Sequence, residues 1–271
     1  MPFTLSHAAA ALPFRKLKPI WPALVIGTFA PDLQYFIWIS DEGRSGHHFP
    51  DVFLIALPLA LVVLWLFEWI VKGPVIELLP GGMQRRLQNK VEPLSFWSWK
   101  RFGSIILWIV IGIATHLLWD EFTHSHTWMT AYWRLLSRPM PVPFHQPMML
   151  MKVLQQVSSL LGLLALAAWF AAWYLRTAPA LETELREFSP FVKVAVVFTM
   201  VVIAILAGYA FAIFKMSDHE LPFSRSFVIA TIFEAITLVF CIELLLYGAA
   251  QTVSARSRRL PGVEVNSKLE T

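Results

Sequence analysis

Five stretches of this chain, residues 52–71, 102–119, 153–175, 191–214 and 226–250, are almost wholly apolar. Each is about 20 residues long, the length at which a helix crosses the hydrocarbon core of a bilayer. Backbone polar groups find no water at that depth, so each stretch must close its hydrogen bonds internally, as a helix. The pattern predicts an all-α fold: a polytopic membrane bundle of five transmembrane helices.

Composition supports this. Of 271 residues, 57% are hydrophobic and 15% charged, well below the quarter or so that is charged in soluble domains. The 12 Trp and 21 Phe suit lipid-facing helices with aromatic anchors at the interfaces. A sixth apolar stretch, 20–39, carries Pro31-Asp32 in its second half. Pro interrupts the helical ladder, and a carboxylate at mid-membrane is costly. The expectation for 20–39 is two short pieces, re-entrant or amphipathic, packed on the bundle.

One membrane-embedded domain is expected over 1–250. A polar tail, 251–271, containing Pro-Gly, is expected to be disordered. The N-terminus lacks the basic start, clean apolar core and small-residue cleavage site of a secretory signal peptide. The lone Cys241 excludes a disulfide framework and a thiolate metal site. No phosphate-cradling loop, serine nucleophile elbow or nucleic-acid signature is present. The net charge of +4 sits in loops and tail, where it orients a protein in a membrane.

With five spans, loop 72–101, loop 176–190 and the tail share one face, which holds about 13 of the 22 Lys and Arg. The positive-inside rule assigns that face to the cytoplasm. His7, His47, His48, His124, His126, His145 and His219 then fall on the other face, and His116 lies one turn inside the membrane there. Independent placement of eight histidines rarely gives such agreement; a shared site at that rim explains it.

The densest part of that site is HLLWDEFTHSH, 116–126. If the helix continues through it, His116, Asp120 and His124 at i, i+4, i+8 stand on one side. Imidazole and carboxylate so spaced suit a divalent cation, although His and Asp also simply terminate spans where water is available. His7 in MPFTLSH, Asp32 in APDLQY, and Arg44, His47 and His48 in RSGHH extend the set. Only one of His47 and His48 is expected to join, because adjacent helical residues point about 100° apart. Two or three imidazoles with two carboxylates and no thiolate favour Zn²⁺, with Mn²⁺ as the alternative. Gln155 and Gln156, in LQQVSSLLG on the same face, suit either the site or interhelical hydrogen bonding. Asp218-His219-Glu220 is read as a solvated cluster, with a lid over the site as the alternative, and Pro58 and Glu68 as a kink and an interface residue.

MPFTLSH, then APD, then R-x-x-H, then H-x3-D-x2-TH after an apolar run, resembles a bacterial membrane family catalogued as domain of unknown function 4184. The plan is also similar to membrane-bound metal-dependent hydrolases of the YdjM type, which resemble zinc-dependent phospholipase C in the order of His and Asp. The resemblance covers about residues 1–250 and is dense in 1–50 and 114–126. It implies His7, Asp32, His48 (or His47), His116 and Asp120 as ligands, with His124 nearby. Gln34 stands where PD-x-D versions carry a further ligand, which weighs against a two- or three-metal cluster.

The expected chemistry is metal-dependent hydrolysis of a phosphoester or lipid-like substrate, acting from the bacterial inner membrane. Glu121 or a non-ligating histidine such as His124 would serve as general base, and Arg44 would hold an anionic oxygen. Two rival classes fit the same residues: a transporter of metal or small solute, and a non-enzymatic membrane protein with a structural His/Asp set.

Overall fold

The computed structural model describes residues 4–17, 20–38, 50–142, 146–181, 185–217 and 225–259. Five helices within it are long and apolar enough to cross a membrane: Val52–Leu78, Trp99–Tyr132, Leu150–Arg176, Pro190–Ser217 and Phe227–Ser254. The chain is an all-α integral membrane protein, as its apolar stretches require.

The stretch 20–39 is broken as expected. Helix α1 (Trp21–Gly27) is followed by a 3-10 turn, Ala30–Asp32, and by α2 (Leu33–Trp38). Ahead of them lies an 11-residue 3-10 helix, Thr4–Phe14. Side chains three apart align on such a helix, and Ala8 and Ala11 are accordingly buried together, with Ser6 and His7 beside them.

The first span is composite: a π-helical turn Val52–Ala56, α3 (Leu57–Leu66), a second π turn Phe67–Val71, and α4 (Lys72–Leu78). It runs past the expected end at 71 because Pro74 falls in the first turn of α4, where a missing N–H is tolerated. Pro58 likewise opens α3 directly after a π turn. Glu68 is more than an interface residue. It is buried, and its Oε2 accepts from Leu94 N–H and the Lys72 ammonium, tying the following loop back to the span.

After α5 (Gly81–Leu87) comes α6 (Trp99–Thr123). Ile105, Ile109, Gly112, Ile113, His116, Asp120 and Thr123 form its buried stripe. The spacing of three and four keeps them on one helix face, and the face turns from apolar to polar at His116. Its apolar part packs with α1 and the first span, in a core that includes Ala23, Ala56, Ala60, Leu64, Ile105 and Ile109. A short helix α7 (Trp128–Tyr132) and a hairpin, β1 (Pro139–Met140) with β2 (Met148–Met149), lead into α8 (Leu150–Arg176). The last spans, α9 (Pro190–Ser217) and α10 (Arg225–Arg259), pack closely where Gly208 meets the Ile236 backbone. Helix α10 continues to Arg259, so 251–259 belong to a helix and not to the expected tail. Ala249, Ala250 and Gln251 favour helix, so the ladder outlasts the apolar pattern. Outward-facing Leu107, Leu118, Leu160, Leu161 and Leu206 are exposed, as lipid contact demands.

The end of the bundle opposite His116 is held by polar clamps. Lys193 donates to Leu79 O and Gln84 Oε1, and Gln84 Nε2 donates to Arg186 O. Arg86 donates to the carbonyls of Tyr174 and Thr177 and stacks on the Tyr174 ring.

Candidate metal centre

The centre is assembled where two glycines let helices touch. Gly27 of α1 and Gly112 of α6 meet backbone to backbone. A Cβ on Gly112 would lie 2.5 Å from Leu24 O, and one on Gly27 would lie 2.3 Å from Ile109 O. One turn beyond Gly112, this contact brings His116 against the end of α1, where its Nδ1 lies 2.8 Å from Thr28 O. A carbonyl only accepts, so Nδ1 carries a proton and Nε2 is the nitrogen turned toward Asp120 and Asp32. That is how ligating imidazoles are normally oriented.

His7 arrives from the N-terminal 3-10 helix. Gly162 of α8 admits that helix, since a Cβ there would sit 2.9 Å from Ser6 O. The His7 ring stacks on His116, with centroids 4.1 Å apart, and meets Trp119 at 5.2 Å. Trp119 is itself fixed by donating Nε1–H to Ser158 Oγ of α8. Asp32, from the 3-10 turn after α1, accepts from Thr4 Oγ1 at 2.7 Å.

His7, Asp32, His116 and Asp120 are all buried, between 1% and 7% exposed. His7 Nε2 lies 3.6 Å from Asp120 Oδ1, His116 Nε2 3.1 Å from Asp120 Oδ2, and His116 Nε2 3.5 Å from Asp32 Oδ1. One ligand atom from each of His7, His116 and Asp120 fits within 4.8 Å of the others. A tetrahedral ion with bonds of about 2.0–2.1 Å separates its donors by about 3.3–3.4 Å, so these side chains are close enough to bind one metal ion. Neither ring nitrogen of His7 has a hydrogen-bond partner among the described residues. A buried polar group so placed needs an explanation, and a cation supplies one. Burial, and then the neighbouring His116 ring, push the His7 imidazole down from 6.5 to about 4. It is therefore neutral at pH 7, with a lone pair to give.

The residues expected from sequence divide clearly. His7, Asp32, His116 and Asp120 converge. His124 lies beside them, but not by continuation of the helix: α6 ends at Thr123, and His124 is its extended C-cap. Thr127 starts α7 with a capping box and donates its hydroxyl to Glu121 O, which turns the chain there. His124 Nδ1 nevertheless reaches within 3.4 Å of Asp120 Oδ1. Glu121 is engaged elsewhere, accepting from Met129 N–H at 3.1 Å as a cap for α7. Gln34 is buried and donates to Pro31 O; it braces the turn that carries Asp32. Arg44, His47 and His48 lie outside the described residues, as do His145 and His219. His126 is exposed, in a left-handed conformation at φ 64°.

Sequence reading missed Thr4, Trp119 and Lys152. Thr4 stood within MPFTLSH three positions from His7, the repeat of a 3-10 helix, so it was recoverable. Lys152 Nζ donates to Gln155 Oε1 at 3.3 Å, and Gln155 Nε2 lies 3.4 Å from His124 Nε2. Gln155 thus faces the site, one of its two sequence readings.

The family model described as domain of unknown function DUF4184 matches residues 1–249. The chain belongs to this family. In this DUF4184 protein the matched span contains every residue of the centre, from Thr4 to Gln155. No curated protein and no solved structure matches it significantly.

Proposed function

We propose that this DUF4184 protein is a membrane-bound, metal-dependent hydrolase whose ion is held by His7, Asp32, His116 and Asp120. The carrying observation is that buried His7, His116 and Asp120 each offer a ligand atom within 4.8 Å of the others, with Asp32 Oδ1 3.5 Å from His116 Nε2 and the ring nitrogens of His7 without a hydrogen bond among the described residues. Two imidazoles and two carboxylates suit Zn²⁺ first and Mn²⁺ second. Such an ion acts as a Lewis acid toward an ester and lowers the pKa of water to about 7.

The chain's own residues do the rest. Thr28 O and the Thr4 hydroxyl orient His116 and Asp32, and all four donors are buried. The donors sit at one rim, at the polar end of the α6 stripe, which supports a phosphoester or lipid-like substrate approaching from the bilayer surface. The Lys/Arg bias supports a non-cytoplasmic position for that rim, in a bacterial inner membrane.

The test is metal analysis of the purified protein, with hydrolysis of phosphodiester and phospholipid substrates. Retained Zn²⁺ or Mn²⁺ and turnover, both lost in His116→Ala/Asp120→Ala, are expected. Metal-dependent flux into proteoliposomes without turnover would select transport instead. Wild-type protein that holds no metal would end the reading.

A further inference from the structure

We infer that Lys152 and Gln155 of α8 are positioning residues that fix the tautomer of His124, and through it the Asp120 carboxylate. The donor and acceptor inventory forces this assignment. A lysine ammonium only donates, so the atom of Gln155 facing Lys152 at 3.3 Å must be the carbonyl oxygen. The amide NH₂ is then turned to His124 Nε2, 3.4 Å away. An amide NH₂ only donates, so Nε2 must accept and carries no proton.

The other edge of the ring gives the same answer independently. His124 Nδ1 faces Asp120 Oδ1 at 3.4 Å, a carboxylate oxygen. It also faces Thr123 Oγ1 at 3.4 Å, and that hydroxyl already donates to Trp119 O. Both neighbours accept, so Nδ1 bears the hydrogen. The relay runs Lys152 to Gln155 to His124 to Asp120, donor to acceptor at each step, and each member removes the alternative open to the next. Gln155 is buried, which keeps competing water from its amide.

With Nδ1 protonated and Nε2 covered by Gln155, His124 offers no free lone pair in this arrangement. Its work is to hold one oxygen of Asp120, as partners outside a coordination shell hold ligating groups. That last role rests on the metal reading above; the tautomer itself does not.

The experiment is ¹⁵N NMR of histidine-labelled, metal-free protein in nanodiscs, at about pH 8, above the ordinary imidazole value of about 6.5. A protonated and a bare ring nitrogen have distinct shifts, and His124→Asn assigns the signal. Wild type and Lys152→Arg are expected to show His124 with hydrogen on Nδ1. Gln155→Glu presents only acceptors to Nε2 and is expected to place hydrogen on Nε2. Zn²⁺ affinity of Gln155→Glu, by competition with a chelator, is expected to fall about 10- to 100-fold. Hydrogen on Nε2 in wild type, or a bare Nε2 in Gln155→Glu, would overturn the inference. If the tautomer behaves as stated and wild type binds no metal, the relay stands and the hydrolase reading fails.

Discussion

Gly112→Ala tests how the centre is built, because it leaves every donor side chain intact. The added Cβ would meet Leu24 O at 2.5 Å and the Gly27 Cα and C at 2.7 Å. None of these is a side chain that can swing away, so α1 and α6 must part. Restoring the closest contact to 3.0 Å requires about 0.5 Å, and an ordinary contact requires nearer 1 Å. The 2.8 Å bond from His116 Nδ1 to Thr28 O lies one turn away and takes up that displacement. It would lengthen beyond about 3.2 Å, where a hydrogen bond fades. Overpacking of this kind costs about 1–3 kcal/mol, and loss of the partner that orients a ligating imidazole costs about 10- to 100-fold in metal affinity. The assay is Zn²⁺ competition against a chelator, paired with thermal unfolding in the same detergent. Gly103→Ala, where a Cβ meets nothing within 4 Å, is the control for adding a methyl group to α6. Unchanged metal affinity and unchanged unfolding temperature in Gly112→Ala would refute the claim that the two glycines position His116.

Further expectations concern single residues. The His7 imidazole falls from 6.5 to about 4 on folding, so between those values the unfolded chain binds the extra proton. Stability of the metal-free protein is then full above about pH 6.5 and declines as pH drops toward 4, by about 3 kcal/mol. Unfolding followed at stepped pH checks this, and His7→Asn should flatten that window. Thr4→Val removes the hydroxyl that fixes Asp32 and should weaken Zn²⁺ binding about tenfold, read by the same competition. Glu121→Ala deletes the cap at Met129 N–H; it should cost about 1 kcal/mol and leave metal content unchanged. Lys193→Met strands Leu79 O and Gln84 Oε1 at the far end of the bundle. About 1–3 kcal/mol of stability should be lost there, again with normal metal content.

The spans were legible because a bilayer leaves an apolar stretch of that length only one way to satisfy its backbone. The break at Pro31-Asp32 was legible for the same reason. His116 and Asp120 could be paired from their spacing, since both lie on the unbroken helix α6. His124 could not, because its position depends on Thr127 ending that helix, and a capping box eight residues beyond Trp119 carries no apolar signal. His7 and Asp32 were recognised as ligand types, but their meeting with α6 depends on Gly27, Gly112 and Gly162. Those glycines act through close backbone approach, which no periodicity records. Glu121 shows a related effect: a carboxylate next to Asp120 invites a chemical role from sequence, and the fold sets its Oε2 against the Met129 N–H of α7.

The long range of the contacts that complete the centre has a practical meaning. His116 and Thr28 are 88 positions apart, and His7 reaches Asp120 from still farther along the chain. None of the donors can gather until the N-terminal segment, α1 and α6 have all come into register. Bound metal, if present, would therefore serve as a stringent purification criterion. A variant that keeps all four donors and its full helical signal, yet loses metal that wild type holds, would contain spans that are inserted but not docked.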